Sequence, residues 1–319
     1  MLKVYRSLDE FPSDFGPSVV TIGNFDGVHR GHRKILEIAS TAAKEHGWRT
    51  ATLTFDPHPL QVVAPDRAPR VMTTIEQRRE LLQELGVDAM VVLPFTQAFS
   101  KQSPEEFVEQ VLVRGLGCAC VVVGENFRFG HRQAGDVDTL KGLGRQYGFL
   151  SETVGPFRIG GDIVSSSRIR EAVAAGRIDV ARRLLGRPFE LVGEVVSGRG
   201  IGSKSTAPTL NLKPQVDLWP ANGVYVSETR EMSGPRSWRS VTNVGVRPTF
   251  GESDRTIETH LLDPIGGASP TAIGVSFLRR LRNEQLFESS GSLREQIYQD
   301  IAEAERYFRL RDRIQARAM

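Results

Sequence analysis

Gly23-Asn24-Phe25-Asp26-Gly27-Val28-His29-Arg30-Gly31-His32 is the stretch from which the fold is read. Ahead of it, Val19, Val20 and Ile22 form a short apolar run of the buried-strand kind. Behind it, Ile35, Ile38, Ala39 and Ala42 recur at helical spacing, and Gly47 supplies a C-terminal cap. The stretch is therefore a strand-to-helix turn. At the carboxyl end of a parallel strand, such a turn offers an anion unpaired backbone N–H groups and the positive end of a helix. Glycines let the backbone approach a ligand closely, and two imidazoles flank Gly31, so phosphate is the expected anion. The turn is not a Walker A loop, which needs Gly-Lys-Ser/Thr, nor the dinucleotide fingerprint Gly-x-Gly-x-x-Gly.

The alternation continues outward. Residues 50–55 read as a strand running into Asp56-Pro57-His58-Pro59, a rigid turn expected at the same sheet edge. Thr74-Ile75-Glu76-Gln77 is a capping box that opens a helix to Leu85 and Gly86. A strand at 89–93 follows. Ser103-Pro104-Glu105-Glu106 is a second capping box, whose helix is expected to last to about Arg114. Residues 118–123 are another buried strand, in which Cys118 and Cys120 read as small core residues rather than as a disulfide or a zinc site. This βαβαβ order predicts a parallel sheet covered on both faces, with ligands outside the carboxyl ends of its strands. Gly124-Glu125-Asn126-Phe127-Arg128-Phe129-Gly130 falls at such an end. Val164-Ser165-Ser166-Ser167-Arg168-Ile169-Arg170 opens a further helix with serines at its start.

A chain of 319 residues exceeds the size at which one core keeps growing, so two domains are expected. After a short helix at 180–185 the alternation stops, and the boundary falls near 187, giving domains 1–187 and 188–319. Strand-like runs at 191–196, 223–227, 240–246, 257–262 and 273–281 predict an antiparallel barrel. One helix closes the chain, with Ser292-x-x-Glu295 as its cap and Leu293, Ile297 and Ile301 on one face. A net charge of +3 without basic blocks argues against nucleic acid as a partner. No apolar run approaches the roughly 18 residues of a membrane helix. A cytoplasmic protein is expected.

The second half has two constellations. One is Gly198-Arg199-Gly200-Ile201-Gly202 followed by Pro208-Thr209-Leu210-Asn211; the other runs from Asn243 to Gly251 and into Ile257-Glu258-Thr259-His260. A glycine-rich flap can close over phosphates, a Thr and an Asn two apart can share a magnesium ion, and a nearby carboxylate can accept a hydroxyl proton.

At His-x-Gly-His the first half resembles the nucleotidyltransferase superfamily that carries this motif. The full wording of residues 23–32 is similar to the adenylyltransferase half of the bacterial bifunctional riboflavin kinase/FMN adenylyltransferases, the prokaryotic FAD synthetases. The resemblance implies a Rossmann-like nucleotidyltransferase domain with His29, His32 and Arg170 as catalytic residues. It implies that Gly23, Asn24, Phe25, Gly27, Ser166, Ser167 and Arg168 bind ATP phosphates, and that Asn126, Phe127, Arg128, Asp56 and His58 bind flavin. The superfamily's Ile-Ser-Ser-Thr-x-x-Arg segment appears here with Val164 for Ile and Ser167 for Thr. The second half is similar to the riboflavin kinase module. That similarity implies a phosphate flap at Gly198, Gly200 and Gly202, magnesium on Thr209 and Asn211, and Glu258 as the acceptor of the riboflavin 5′-hydroxyl proton. Thr206-Ala207 stands where such modules commonly have Gly-Phe, and the loop after Asp263 lacks the usual aspartate and tyrosine.

The two chemistries suit these residues. A phosphate nucleophile is already an anion and needs positive charge and N–H donors around the reacting phosphates. An alcohol needs its proton accepted, and hence a carboxylate. The resemblance thus implies a bifunctional enzyme: ATP and riboflavin give FMN and ADP, then a second ATP and FMN give FAD and pyrophosphate. Mg2+ with ATP as co-substrate is expected, and flavin is both substrate and product. Two other readings stand beside it: an adenylyltransferase for another phosphorylated cofactor precursor, and a non-catalytic flavin-binding protein.

Overall fold

The computed structural model describes residues 2–196, 209–248 and 253–318. The chain divides into two compact units, Met1–Ser167 and Arg168–Met319.

The first unit is built on a six-stranded sheet: β1 (Lys3–Tyr5), β2 (Ser18–Ile22), β3 (Arg49–Asp56), β4 (Ala89–Pro94), β5 (Cys118–Gly124) and β6 (Leu150–Val154). The strand order is β1-β4-β3-β2-β5-β6 and every pairing is parallel. Every residue of β2 is buried, as a strand covered on both faces requires. The connecting helices are α1 (Arg30–His46), the single turn α2 (Pro59–Val63), α3 (Ile75–Glu84), α4 (Pro104–Phe107) and α5 (Val137–Tyr147). Alternate strand residues feed two cores. Val20, Leu53, Val91 and Val121 pack with Leu112 and Leu140 on one face. On the other face Val19 and Val122 meet Ala39 and Ala43 of α1, and Met90 and Val92 meet Leu82 of α3.

The helices begin and end as their sequence signals dictate. Thr74 and Ser103 each close a reciprocal capping box, and Gly47 ends α1 in the left-handed region at φ +68°. One helix differs from expectation: α4 is regular only to Phe107 and runs on as a π-helix over Val108–Gly115. Strand order reverses between β2 and β5, because the chain builds outward from β2 through β3 and β4 and then returns to β2's other side. In an open parallel sheet that reversal leaves a crevice at the strands' carboxyl ends. A two-stranded hairpin, β7 (Arg158–Ile159) with β8 (Asp162–Ile163), then leads to α6 (Ser166–Ala174), which carries the chain into the second unit.

In the second unit α7 (Ile178–Leu185) packs against β9 and β14 of a closed barrel. The strands are β9 (Phe189–Val196), β10 (Thr209–Pro214), β11 (Gly223–Glu231), β12 (Ser237–Pro248), β13 (Ser253–Leu261) and β14 (Ala272–Arg282). They close in the order β10-β13-β12-β11-β14-β9, antiparallel throughout, with β9 returning to β10. The interior is mixed. Leu191, Leu210, Ile257 and Phe277 are buried there beside a chain of hydroxyls: Thr229 to Ser240 at 2.9 Å, Ser240 to Ser227 at 2.8 Å, Ser227 to Thr242 at 2.6 Å and Thr242 to Thr259 at 3.0 Å. All five are fully buried and each finds a partner, as buried polar groups must.

The closing helix α8 (Ser290–Ala318) lies on the outer face of β11 and β12, burying Ala304 and Phe308 against Val224, Val226 and Val241. Arg282 forks onto the buried Asp300 at 2.8 and 2.9 Å, and Arg239 pairs with Asp312 at 2.8 Å. Two expectations for this helix are corrected. It opens at Ser290, with the Ser289 hydroxyl accepting the Ser292 N–H at 3.1 Å, rather than on a Ser292 cap. Its buried face is that of Asp300, Ala304 and Phe308, while Leu293 and Ile297 are exposed.

Candidate active sites

The turn at 23–32 owes its shape to a buried ion pair. Asp26 is 2% exposed. Its carboxylate accepts the Met72 and Thr73 backbone N–H groups at 3.1 and 3.0 Å and the Thr73 hydroxyl at 2.9 Å, with Arg78 Nη2 at 3.6 Å. The Thr73 oxygen accepts in turn from Gly27 N at 2.9 Å and Arg78 Nε at 3.3 Å, so its one donor and two acceptor sites are all used. Arg78 Nη1 donates to the Asn24 carbonyl at 3.2 Å. This clamp holds Phe25 at φ +46° and Val28 at φ +36°, conformations that L side chains rarely adopt and a β-branched one least of all. Both side chains are buried.

The clamped turn delivers His29 to the N-cap of α1, where its Nδ1 accepts the His32 N–H at 3.2 Å. The His29 and His32 rings stack with centroids 3.6 Å apart, and Phe25 meets the His32 ring edge-on at 5.2 Å. Gly31 leaves room at this approach: a β-carbon there would lie 3.1 Å from the His29 ring and 3.4 Å from the Val164 carbonyl. Ser166 Oγ donates to the Asp26 carbonyl at 3.1 Å, which brings the start of α6 against the turn.

Helix N-termini ordinarily favour acidic side chains in their first turn. Neither α1 nor α6 has one; Arg30 and Arg33 follow the first cap, and Arg168 and Arg170 the second. Positive side chains beside a positive helix end make an anion favourable there.

Other predicted residues surround this turn. Asn24 meets His58 through its amide at 3.0 Å, and His58 caps α2 with Nδ1 accepting from Leu60 N at 3.1 Å. The Asn126 Oδ1 lies 3.2 Å from where a Gly124 β-carbon would sit, and Ile35 of α1 lies 3.9 Å from the same point, so the end of β5 adjoins the first turns of α1. Phe127 stacks on Phe129 with centroids 5.4 Å apart, and Arg128 is exposed. Asp56 stands apart from this group in an exposed ion pair with Arg6 at 3.6 Å. Ser167 is exposed at the start of α6.

In the barrel the strand register creates the second site. Asn211 on β10 and Asn243 on β12 are the two cross-strand partners of Glu258 on β13, so all three stand in one row on the outer face. Leu210, Leu212 and Ile257, on the alternate positions, point inward and are buried. Thr209 pairs with His260, its hydroxyl 3.4 Å from Nδ1, and burial holds the His260 pKa below the usual histidine value. Gly198, Gly200 and Gly202 lie outside the described residues, as do Thr206, Ala207 and Pro208. Among the described residues no cluster of three His, Cys, Asp or Glu side chains forms a metal site; the hydroxyl of Thr209 and the amide of Asn211 are oxygen donors of the hard kind.

Comparison with known proteins matches each unit separately. The FAD synthetase family model covers residues 12–168, and the riboflavin kinase family model covers residues 185–308. A bifunctional riboflavin kinase/FMN adenylyltransferase of Pseudomonas fluorescens is 37% identical over 304 residues, spanning 95% of this chain and 97% of its own. The chain belongs to the bifunctional riboflavin kinase/FMN adenylyltransferase family. Its counterpart in Escherichia coli strain K12 is 35% identical over 97% of this chain and 98% of that one. A crystal structure described as a macrolide-efflux protein from Streptococcus pneumoniae shares the fold, with a TM-score of 0.83 at 25% identity over 95% of this chain and 98% of that chain. Among the described residues no helix is long and apolar enough to cross a membrane.

Within this riboflavin kinase/FMN adenylyltransferase framework, Thr73 and Arg78 join the turn without any motif that marks them in the sequence. The available signal was Asp26 itself, because a carboxylate between Phe25 and Gly27 in a buried turn must find donors somewhere. The Met72 and Thr73 donors lie 46 and 47 residues along the chain, just ahead of α3, and no local pattern connects them to the turn. Asn243 was likewise visible only as part of its segment, and its place beside Glu258 comes from the β12–β13 register.

Proposed function

We propose that two functional segments of the chain, 1–187 and 188–319, carry the two activities in the family's name, each with its own phosphate chemistry. The first makes FAD from FMN and ATP; the second makes FMN from riboflavin and ATP. The functional boundary is drawn near residue 187, giving 1–187 to the adenylyltransferase and 188–319 to the kinase. The riboflavin kinase match beginning at 185 supports it.

At the first site an FMN phosphate oxygen bonds to the α-phosphorus of ATP, the Pα–O–Pβ bond breaks, and pyrophosphate leaves with the electron pair. His29, His32 and Arg170 neutralise the charge that develops, together with the N–H groups at the starts of α1 and α6. Because His29 Nδ1 accepts a backbone proton, the neutral ring carries its own proton on Nε2 and donates there. Gly23, Asn24, Phe25 and Gly27 shape the phosphate turn, and Ser166, Ser167 and Arg168 hold the triphosphate. Asn126, Phe127 and Arg128 receive the flavin from across the crevice, with His58 at its edge. The observation that supports this reading best is the pair of helix starts that carry arginines and no acid.

At the second site Glu258 takes the proton of the riboflavin 5′-hydroxyl as its oxygen bonds to the γ-phosphorus and ADP departs. Thr209 and Asn211 would hold magnesium, which supplies charge neutralisation at the β- and γ-phosphates. The cross-strand pairing of Asn211 with Glu258 supports the assignment, since it sets the cation ligand beside the base.

The test is a crossover in the full chain supplied with riboflavin, ATP and magnesium. His32→Ala is expected to stop at FMN, whereas Glu258→Gln is expected to convert added FMN to FAD but leave riboflavin untouched. Loss of both activities from either substitution in a folded chain would overturn the assignment of one site to each segment.

A further inference from the structure

The row that carries Glu258 is braced from outside by a hydrogen-bond circuit of fixed polarity. Arg255 on β13 donates through Nε to Asn222 Oδ1 at 3.1 Å. Asn222 Nδ2 donates to Glu284 Oε2 at 2.9 Å, and Glu284 Oε1 accepts the Val246 backbone N–H at 3.0 Å. Val246 and Arg255 are register partners on β12 and β13, so the circuit closes around one rung of that ladder. Arg255 is also seated over the Trp219 ring at 5.3 Å, and the Asn222 carbonyl accepts Arg280 Nη2 at 2.5 Å.

Each member has a single chemistry that fits. Arginine can only donate, so Asn222 must turn its oxygen to Arg255 and its NH2 to residue 284. Val246 also donates, so residue 284 meets donors on both sides and must present two acceptors. A carboxylate does this and a carboxamide does not. The Glu284 carboxylate lies over Gly245, in the space where a side chain on that residue would stand, and that same point is 3.1 Å from the Asn243 amide. Gly245 and Asn243 face the same side of β12, and Asn243 is the register partner of Glu258.

We propose that Glu284 is a positioning residue of the kinase site, holding the β12 edge so that Asn243 and Glu258 keep their row, with Asn222 dictating that residue 284 be a carboxylate. The proposal rests on Glu258 being the base. Misplacing a reacting group by about an ångström can cost on the order of a hundredfold in rate, so a brace three rungs away has enough leverage to matter.

Polarity gives the test. Glu284→Gln sets two NH2 groups, or an NH2 and an N–H, against each other, and Asn222→Asp sets two carboxylates against each other. The double variant Asn222→Asp/Glu284→Gln reverses the middle of the circuit and satisfies every donor again. Riboflavin phosphorylation is measured for the full-length chain, with FMN adenylylation as the internal control. Each single variant should lose about tenfold in kcat, with the riboflavin KM within about twofold, and the double variant should recover to within about threefold of the parent. Single variants with undiminished kcat would overturn the proposal, as would a double variant no better than the singles, whatever the singles do to folding. A Glu258→Gln chain that still phosphorylates riboflavin would instead overturn the base assignment.

Discussion

The imidazoles of His29 and His32 lie stacked, planes 13° from parallel, with the first ring capping the helix whose first turn carries the second. His29 therefore has two roles that substitution can separate. Asparagine at position 29 can still cap α1 but cannot act as an imidazole, whereas alanine does neither. His29→Asn and His29→Ala should both lose adenylyl transfer by about a hundredfold or more. Only the alanine variant should lose the cap's stability, about 1 kcal/mol. Rates and denaturant midpoints of the two variants check this, and equal midpoints would remove the capping role.

Gly31→Ala should damage the same activity without touching a phosphate ligand. The added methyl, 3.1 Å from the His29 ring, pushes the imidazole off its cap or tilts it against His32. FAD formation should fall at least about tenfold while riboflavin phosphorylation is unchanged. A variant with full activity in both assays would show that the ring has room to move.

The clamp under the turn carries a stability prediction. Asp26→Ala leaves Arg78 buried without its carboxylate, a change that typically costs about 3 to 5 kcal/mol. It also frees Phe25 and Val28 to leave their positive-φ conformations. Chemical denaturation should show the first unit weakened by that amount, with adenylyl transfer lost before kinase activity as denaturant rises. An unchanged midpoint would mean that the carboxylate is dispensable.

These contacts mark how far sequence alone could reach. Strands β2, β4 and β5 announce themselves because burial on both faces demands a continuous apolar run. The edge strands β1 and β6 do not: β6 alternates between exposed and half-buried residues until Val154, and β1 is three residues long. The π-helical course of 108–115 has no compositional signature. The buried face of α8 does not show in its apolar pattern because it includes Asp300, which is tolerated there because Arg282 reaches it from another element. The site divides in the same way. Local motifs give the phosphate turn, the two helix starts and the Thr209-to-Asn211 spacing, whereas the Asp26 clamp and the Asn243–Glu258 pairing are long-range contacts.

Barrel closure rests on Gly193, where β9 meets β10. A β-carbon there would overlap the Lys213 carbonyl, so Gly193→Ala must push the two strands apart. β10 carries Thr209 and Asn211, and the kinase activity should therefore fall while FMN adenylylation persists. Assaying both reactions on the variant checks it; parent-like kinase activity would mean that β10 is held by β13 alone.

The two thiols should be silent. Burial pushes the Cys120 pKa up to about 11 and drives Cys118 higher still, with each thiol's neighbouring negative charge adding to the effect. At pH 8 the Cys120 thiolate is then about a thousandth of the population. Alkylation of the native chain should be slow below pH 9 and accelerate as pH rises towards 11. Rapid stoichiometric labelling of Cys120 at pH 7 would contradict its burial.

The five hydroxyls inside the barrel bear on how this unit assembles. Serine and threonine at these positions find partners only when β11, β12 and β13 are aligned together. A slip of one residue would turn every hydroxyl outward and every outward side chain in. An oily interior would tolerate several near-equivalent alignments, but a hydrogen-bonded one penalises each misalignment at several places at once. The interior therefore acts as a proofreading device for strand pairing, and the row of Asn211, Glu258 and Asn243 on the outer face inherits its alignment from bonds on the inner one.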